Sequence, residues 1–379
     1  MKLVFVSNYF NHHQKPICDS FYNLLGEEFR FVATTTVPEM RRALGYGTED
    51  AVYVVPAYAG AQFRTLAQTL IDEADVVIAG AAPQSMLQSR LRTGKLVFRY
   101  SERPLKDGFS VLKYFPRLVR WHLRNPMSKP IYMLCASAYT APDYAKFGLF
   151  RNRCYKWGYF PETKRYENID ALMDGKATAS ILWVGRLIDW KHPDDALEIA
   201  RRLRQEGYRF AMSVIGNGEM ERELLGQVAE YALEDSVCLY GPMKPEEVRA
   251  HMEKAGIFLF TSDRKEGWGA VLNEAMNSGC AVVASDAIGA VPYLARHREN
   301  GMIYPSGNVD ELYEQVKYLL DHPAEQKRLG TEAYRTITEE WNAEIAAERF
   351  VALAQQILTG KRKNCVCSDG PCSKHGAER

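Results

Sequence analysis

Short apolar segments alternate with amphipathic segments along most of the chain. Eight of the apolar segments predict strands: residues 3–6, 76–79, 96–100, 181–184, 211–215, 237–240, 257–261 and 281–285. Several have apolar residues on both faces, as strands of a buried parallel sheet do. Between them lie stretches with apolar residues at helical spacing, for example residues 194–206. This alternation predicts an α/β protein with parallel sheets and helices on both faces.

The alternation occurs twice, with a polar break that contains Gly and Pro at residues 157–175. A chain of 379 residues fits two domains at roughly 150 residues each. We therefore predict two doubly wound domains, residues 1–160 and residues 175–340. A final helix over residues 341–360 would follow, with the option of crossing back to the first domain. Residues 361–379 have almost no apolar side chains and predict a flexible, Cys-rich tail.

The composition narrows the class of protein. The chain is 46% hydrophobic and 25% charged, which is typical of a folded globular protein. Its net charge is +1, and no nucleic-acid-binding motif is present, so nucleic acid is not an expected partner. No apolar window is long enough for a signal peptide or a membrane span. We expect a cytoplasmic protein with reduced cysteines.

Candidate phosphate-binding groups follow the strands of the second half. Gly185, Arg186 and Lys191 come directly after residues 181–184, and ligands of open α/β sheets bind beyond the carboxyl ends of the strands. Two cations five residues apart can both reach one diphosphate. Gly216 lies between a strand and a helix and predicts a nucleotide-facing turn. A solvated loop and a plain strand-to-helix turn are the respective alternatives.

Residues 263–284 carry the richest pattern. Glu266 ends a loop, Gly267 and Gly269 allow a ligand to approach the backbone, and a helix begins near residue 270. Glu274 lies one turn into that helix, so both carboxylates are expected to face one cleft. Carboxylates suit sugar hydroxyls, which donate hydrogen bonds.

These motifs together resemble those of the retaining glycosyltransferases of family 4, which have the two-domain GT-B fold. The similarity covers Gly185-Arg186-Leu187 with Lys191, then Glu266-Gly267-Trp268-Gly269 with Glu274-Ala275, then Gly279 and Asn300-Gly301. It extends over residues 180–320, nearly all of the second half. The resemblance implies two Rossmann-like domains that face each other across a cleft.

The resemblance also implies roles for these residues. Arg186 and Lys191 would hold and stabilise the departing diphosphate, and Gly185 and Gly216 would line the nucleotide side. Glu266 and the backbone of residues 267–269, with Trp268, would hold the donor sugar. Glu274 would bind the ribose. No cofactor is implied, and no metal, since the chain contains no Asp-x-Asp sequence.

The first domain would bind the acceptor. His12 or His13 would contact the donor sugar or relay a proton, and we expect at most one of the two to be central because adjacent side chains in an extended chain point apart. Ser101, Glu102 and Arg103 follow residues 96–100. Glu102 would orient or deprotonate the acceptor hydroxyl, and Arg103 would bind an acceptor phosphate. A local Glu–Arg surface pair is the alternative.

Residues 109–129 interleave basic side chains with aromatic and aliphatic ones. Residues 99–156 contain 12 Lys and Arg residues against three Asp and Glu residues. A basic amphipathic helix of this kind lies in a membrane interface and is attracted by anionic lipids. We therefore predict peripheral attachment to the inner face of the membrane. Packing of this helix on its own sheet is the alternative.

The tail contains four residue types that bind zinc, namely Cys365, Cys367, Cys372 and His375. Free thiols in a disordered tail are the alternative, and the sequence does not decide between them.

The function predicted from all these features is a hexosyltransferase. It would move a sugar from a nucleotide-diphosphate donor, UDP-linked first and GDP-linked next, to a lipid-linked or polysaccharide acceptor in surface glycan synthesis. Other sugar-nucleotide chemistry, a 2-epimerase or a phosphorylase, is one alternative. A membrane-bound scaffold that binds sugar nucleotides without turnover is the other.

Overall fold

The computed structural model describes residues 1–39, 51–360 and 367–375. The chain divides into two compact units. The first comprises Met1–Glu162 together with Trp341–Arg379, and the second comprises Thr163–Glu340. Each unit contains one sheet whose strands are all parallel, so the predicted fold class is confirmed.

The first unit has a seven-stranded sheet in the order β3-β2-β1-β4-β5-β6-β7. The strands are β1 (Leu3–Ser7), β2 (Phe29–Ala33), β3 (Val54–Pro56), β4 (Val76–Ala79), β5 (Leu96–Ser101), β6 (Ile131–Cys135) and β7 (Cys154–Lys156). The helices are α1 (Lys15–Leu25), α2 (Ala61–Glu73), α3 (Gln88–Thr93), α4 (Tyr114–Arg124) and α5 (Thr140–Ala145).

The second unit has a six-stranded sheet in the order β10-β9-β8-β11-β12-β13. The strands are β8 (Ala177–Val184), β9 (Ala211–Ile215), β10 (Val237–Leu239), β11 (Ala255–Phe260), β12 (Ala281–Ser285) and β13 (Met302–Tyr304). The helices are α6 (Ile169–Asp174), α7 (Pro193–Gln205), α8 (Glu221–Glu230), α9 (Pro245–Lys254), α10 (Ala270–Asn277), α11 (Val291–Leu294), α12 (Val309–Asp321) and α13 (Pro323–Glu339).

In both sheets the chain runs outward in two directions from one strand. In the first sheet β1 lies between β2 and β4, and in the second β8 lies between β9 and β11. Loops on either side of such a strand turn to opposite faces, which leaves a crevice beyond the carboxyl ends. The loops after β8, β9 and β11 are those that carry the donor motifs of the second unit.

All eight predicted strands are present, seven of them within two residues at each end, while β8 begins four residues earlier than predicted. The pattern missed five strands. Three of them, β3, β7 and β13, are only three residues long, too short to show a period. Residues 109–129 form a helix only over Tyr114–Arg124, with Pro116 in its first turn.

The chain segment after the second unit returns to the first. Helix α14 (Ala343–Thr359) packs against α1, and Phe350 of α14 contacts Phe21, Phe98 and Trp157. The second unit begins at Thr163 rather than at residue 175, because α6 packs against α13 and buries Met173.

Part of the predicted flexible tail is ordered. Residues 367–375, which we call the tail segment, extend the first sheet beyond β7 in antiparallel orientation. Cys372 N donates to Lys156 O and Lys156 N to Ser373 O, each at 2.8 Å, and His375 N donates to Cys154 O at 3.1 Å. Cys372 and Ser373 are fully buried. Cys372 adopts φ +65°, a strained conformation for a residue with a side chain, which this pairing stabilises. The edge strand β7 thus gains partners that composition did not reveal.

Candidate functional site

The loop after β8 is fixed by the loop after β9. Gly185 N donates to Ile215 O at 3.0 Å, and Leu187 N donates to Asn217 O at 2.8 Å. Gly216 has φ +139°, and a Cβ atom there would lie 1.8 Å from Gly185 O. Only glycine allows the two backbones to approach so closely. Gly216 therefore positions the Gly185–Arg186 loop. The sequence analysis did not identify this structural requirement for a glycine at position 216.

Lys191 is anchored by its own backbone. It ends a short 3₁₀ turn, Asp189–Lys191. Its carbonyl oxygen accepts a hydrogen bond from Thr261 Oγ1 at 2.6 Å, and Thr261 Oγ1 in turn accepts from Trp183 Nε1 at 2.9 Å. Trp183 and Thr261 come from the neighbouring strand ends of β8 and β11. This chain of bonds ties the Lys191 loop to the sheet, and sequence reasoning missed both supporting residues.

Lys191 and Glu266 form an ion pair. Lys191 Nζ lies 2.5 Å from Glu266 Oε2, which also accepts a hydrogen bond from Ser262 Oγ at 3.1 Å. The side chains are only 12% and 13% exposed. A pair so shielded from water interacts more strongly than a surface pair does. The structure thus brings together two residues that the sequence analysis expected at one site, and it does so by direct contact.

Arg186 is exposed, unlike Lys191. Its guanidinium carbon lies 5.6 Å from the centre of the Trp190 ring, and Lys191 Nζ lies 5.0 Å from the same centre. Both cations therefore border one indole ring. Trp190 was not among the expected site residues, although its place between the two cations in the sequence could have indicated it.

The glycine-rich loop leads into α10, which begins at Ala270 as predicted. Gly269 has φ +91°, and a Cβ atom there would lie 2.5 Å from the Phe260 ring. The Trp268 side chain is fully buried and donates from Nε1 to Asn273 Oδ1 at 2.9 Å. Trp268 therefore anchors the loop through its side chain and leaves its backbone for a ligand, and the backbone is the part of this loop that the sequence analysis assigned to the donor sugar.

Glu274 lies one turn into α10 and is half-buried. Burial raises the pKa of its carboxyl, and the charge of Arg249 offsets part of that rise. Arg249 itself donates to Asn277 Oδ1 at 2.9 Å. Glu266 and Glu274 thus have different surroundings, since Glu266 has a cation in direct contact.

His12 and His13 lie side by side. Their ring centres are 3.7 Å apart, tilted by 45°. The sequence analysis assumed an extended chain here, which was wrong, because residues 12–14 form a turn. That at most one of the two rings is central stays a prediction. Asn11 Oδ1 holds this turn by accepting from His13 N at 2.9 Å. Both rings follow β1 at the carboxyl edge of the first sheet.

Glu102 and Arg103 do not pair with each other, so the expected alternative of a local Glu–Arg pair is wrong. Glu102 Oε1 accepts from Tyr159 OH at 2.6 Å, and Glu102 Oε2 lies 2.5 Å from Lys106 Nζ. Arg103 Nε lies 3.4 Å from Asp143 Oδ2, and its guanidinium carbon lies 4.6 Å from the Tyr139 ring centre.

Ser101, the last residue of β5, uses its hydroxyl to donate to Glu102 O at 2.7 Å. This bond and those of Glu102 and Arg103 define one polar edge of the first sheet, beyond β5.

The zinc hypothesis receives no support from the described part of the tail. Cys365 lies outside the described residues. Cys372 is buried, and His375 Nε2 lies 2.8 Å from Ala138 O. Within residues 1–39, 51–360 and 367–375, no three His, Cys, Asp or Glu side chains are grouped to hold a metal ion.

Helix α4 has two different faces. Trp121 is buried against Phe147 with ring centres 4.5 Å apart, so one face packs on the unit, as the alternative reading expected. The opposite face exposes Phe115, Val119 and Leu123, which line a shallow apolar depression with Arg120 and Arg124. No helix of the described ranges has the length and apolar character needed to cross a membrane.

Comparison with known proteins finds similar glycosyltransferases. Residues 168–336 match the family described as glycosyl transferases group 1. The amylovoran biosynthesis glycosyltransferase AmsK of Erwinia amylovora is 26% identical over 322 residues, which are 82% of this chain and 76% of that protein.

Two solved structures show the same fold. HepE of Anabaena in complex with UDP has a TM-score of 0.66 at 15% identity and covers 95% of this chain and 99% of its own. The lipopolysaccharide outer core galactosyltransferase WaaB in its apo form has a TM-score of 0.67 at 17% identity. The match covers 95% of this chain and 100% of the WaaB chain. Their GT-B architecture agrees with the two parallel-sheet units described above. The second unit is similar to group 1 glycosyl transferases over residues 168–336, and together with the similarity to AmsK this shows that the chain is a glycosyltransferase.

Proposed function

We propose that the protein is a retaining hexosyltransferase that uses a nucleotide-diphosphate sugar and acts in the synthesis of a surface glycan. The observation that carries the proposal is the shielded Lys191–Glu266 pair beside the glycine-rich entry of α10. A cation, an anion and the backbone N–H groups at the start of α10, all near the carboxyl ends of β8 and β11, suit a ligand that combines phosphates with sugar hydroxyls.

In the proposed donor complex, Lys191 and Arg186 bind the diphosphate and Glu266 accepts hydrogen bonds from the sugar. Glu274 accepts hydrogen bonds from the ribose, and residues 267–269 present backbone N–H groups. Binding of a diphosphate would give Lys191 a second anionic partner and free one oxygen of Glu266 for a hydroxyl. A UDP-sugar is the favoured donor and a GDP-sugar the next, since the fold neighbour HepE was solved with UDP.

In the proposed reaction, the bond between the sugar anomeric carbon and the diphosphate oxygen breaks while the acceptor oxygen bonds to the same carbon on the same face. The proton of the acceptor hydroxyl passes to the departing diphosphate. Negative charge grows on that diphosphate in the transition state, and fixed cations are most effective there. Arg186 and Lys191 supply those cations. The absence of an Asp-x-Asp sequence supports a reaction that requires no metal and no cofactor.

The first unit is proposed to hold the acceptor through the polar edge beyond β5. Glu102 would orient the hydroxyl, and its carboxylate is already positioned by Tyr159 and Lys106. Arg103 would bind an acceptor phosphate, and His12 and His13 would border the donor sugar. A lipid-linked or polysaccharide acceptor is favoured because AmsK is named for amylovoran biosynthesis and WaaB for the lipopolysaccharide outer core.

We propose further that α4 attaches the protein to the cytoplasmic face of a membrane. The ridge of Phe115, Val119 and Leu123 is more than half exposed at each residue, and Arg120 and Arg124 border it. Apolar side chains enter the lipid boundary while neighbouring cations bind anionic headgroups. Such a position suits an acceptor that is itself anchored in lipid.

A thermal-shift screen of UDP, GDP, ADP and their sugars, with Mg²⁺ and with EDTA, tests the donor site. A nucleotide at 100 times its Kd is expected to stabilise the protein by about 2.7 kcal/mol. The proposal is supported if one nucleotide stabilises the protein both with Mg²⁺ and with EDTA. This stabilisation should be lost in Lys191→Ala and kept in the neighbouring surface variant Arg264→Ala. Nucleotide diphosphate release that needs no acceptor would instead favour epimerase-type chemistry, and no shift with any nucleotide contradicts the donor site.

A further inference from the structure

The tail segment, residues 367–375, contacts the first unit at two places that lead to the proposed acceptor residues. One contact is with β7, and the other is with the loop that follows β6. Both lie at the same end of the sheet as Glu102 and Arg103. The segment is tied to the rest of the unit by Arg349 of α14, whose Nη1 donates to Asp369 O at 2.8 Å.

The contact with β7 leads to Glu102. Asp369 Oδ1 lies 2.5 Å from Lys156 Nζ, and the Lys156 backbone exchanges hydrogen bonds with Cys372 and Ser373. Three residues later in the chain, Tyr159 donates its hydroxyl proton to Glu102 Oε1. The tail segment therefore pairs with the strand whose exit places Tyr159 on that carboxylate.

The contact with the loop after β6 leads to Arg103. A carbonyl oxygen only accepts, so His375 Nε2 carries the proton it donates to Ala138 O at 2.8 Å. The next residue, Tyr139, presents its ring 4.6 Å from the Arg103 guanidinium carbon. Thr140 Oγ1, one residue further, donates to Ser101 O at 3.3 Å. The loop held by His375 thus borders both Ser101 and Arg103.

We infer that Asp369 and His375 are positioning residues for the acceptor, which act through Tyr159 on Glu102 and through Tyr139 on Arg103. The inference rests on the proposed function of these two residues in acceptor binding. It assigns to the tail segment a role in acceptor use and none in donor binding, because all of the contacts described above lie within the first unit. Residues that orient reacting groups from a distance change reaction rates through geometry rather than contact.

The test compares Asp369→Ala and His375→Ala with His375→Gln, whose side-chain amide can donate to Ala138 O as the imidazole does. Lys374→Ala is the matched control, since the exposed Lys374 pairs through its backbone. Two measurements are made on the full chain. Amide hydrogen exchange is followed over residues 100–106 and 136–140. Transfer from a radiolabelled UDP-sugar to a lipid extract of the source membrane gives the acceptor KM and kcat.

We expect exchange in both segments to rise at least fivefold in the two Ala variants, and the acceptor KM to rise at least fivefold. UDP affinity is expected to stay within twofold, and His375→Gln and Lys374→Ala are expected to resemble the wild type. Unchanged exchange, or raised exchange with an unchanged KM, overturns the inference. If the wild type neither binds a nucleotide nor transfers sugar, the proposed function fails instead, and unchanged exchange in the variants would still refute the role of the tail segment.

Discussion

Lys191 Nζ and Glu266 Oε2 lie 2.5 Å apart, although 75 residues separate them in the chain. The pair joins the loop after β8 to the loop after β11, the two central strands of the second sheet. A ligand that binds Lys191 or Glu266 disturbs this ion pair, and its own contacts must compensate for the interaction that is lost. In the proposed donor complex, the pair would therefore link donor binding to the arrangement of both loops.

Removal of either donor-site cation is expected to reduce turnover. Lys191→Ala and Arg186→Ala should each lower kcat about 100-fold or more, because in the proposed mechanism each removes a fixed charge from the departing diphosphate. Lys191→Ala should also lower the free energy of unfolding by roughly 1–3 kcal/mol, since it leaves the shielded Glu266 carboxylate without its cation. Steady-state kinetics and urea denaturation measure the two effects.

Arg264→Ala is the control for both measurements, because Arg264 is exposed on the same loop as Glu266. Normal turnover in both Lys191→Ala and Arg186→Ala would refute their assignment to the diphosphate.

The surroundings of Glu274 predict a pH dependence of stability. Its pKa in the folded state lies above the ordinary value of 4.5, so the folded state binds the proton more tightly than the unfolded state does. This contribution to stability is complete below pH 4.5 and is lost as the pH rises through the raised pKa. Glu274→Gln removes it, so the variant should gain stability relative to the wild type as the pH rises over that window.

Urea denaturation at a series of pH values checks this, with the exposed Glu230→Gln as the control. UDP affinity of the wild type should rise over the same window, because the proposed ribose contact needs the carboxylate, and should stay flat in Glu274→Gln. A parallel pH profile for wild type and Glu274→Gln would contradict the raised pKa.

The exposed face of α4 predicts binding to anionic vesicles. Val119→Ser combined with Leu123→Ser should weaken binding to phosphatidylglycerol vesicles at least tenfold, because burial of each apolar side chain in lipid contributes about 1.5–3 kcal/mol. Vesicle sedimentation measures the affinity. The matched control combines Leu66→Ser and Leu225→Ser, two exposed leucines on other helices. Equal binding to phosphatidylglycerol and phosphatidylcholine vesicles at low salt would argue against an anionic surface.

Gly216 predicts a contrast between two Gly→Ala substitutions. Gly216→Ala should destabilise the protein by about 3 kcal/mol or more, because the new Cβ atom would meet Gly185 O at 1.8 Å and φ is +139°. Gly226 lies on α8 with open space around it, so Gly226→Ala should leave the free energy of unfolding unchanged or raise it by up to about 1 kcal/mol. Thermal unfolding compares them. Similar melting temperatures for the two variants would show that the loops after β8 and β9 can separate at little cost.

The sequence predicted those strands and helices whose pattern of apolar residues directly reflects which side chains are buried. Strand β11, buried at every residue, and helix α7, with its apolar stripe, were therefore predicted almost to the residue. Motif spacing also brought Lys191 and Glu266 to one site. Their direct pairing was not predictable, because it depends on how far two loops extend from the sheet.

Tertiary contacts explain the features that were missed. Trp268 stands inside a ligand-binding motif, and only the packing around it shows that its ring lies in the core. The polar tail segment has no pattern of its own, since its order comes from the free edge of β7. The rings of His12 and His13 lie together because the chain forms a turn there and not the assumed extended segment. Asn11 stabilises this turn.

The return of α14 to the first unit has a consequence for biosynthesis. Phe350 completes a cluster with Phe21, Phe98 and Trp157, so the first unit is built from segments that precede and follow the second unit in the chain. On the ribosome, the second unit emerges as one continuous segment while the first still lacks α14. We therefore expect the later-synthesised unit to fold first, and the earlier one to expose part of its aromatic core until translation has passed residue 350.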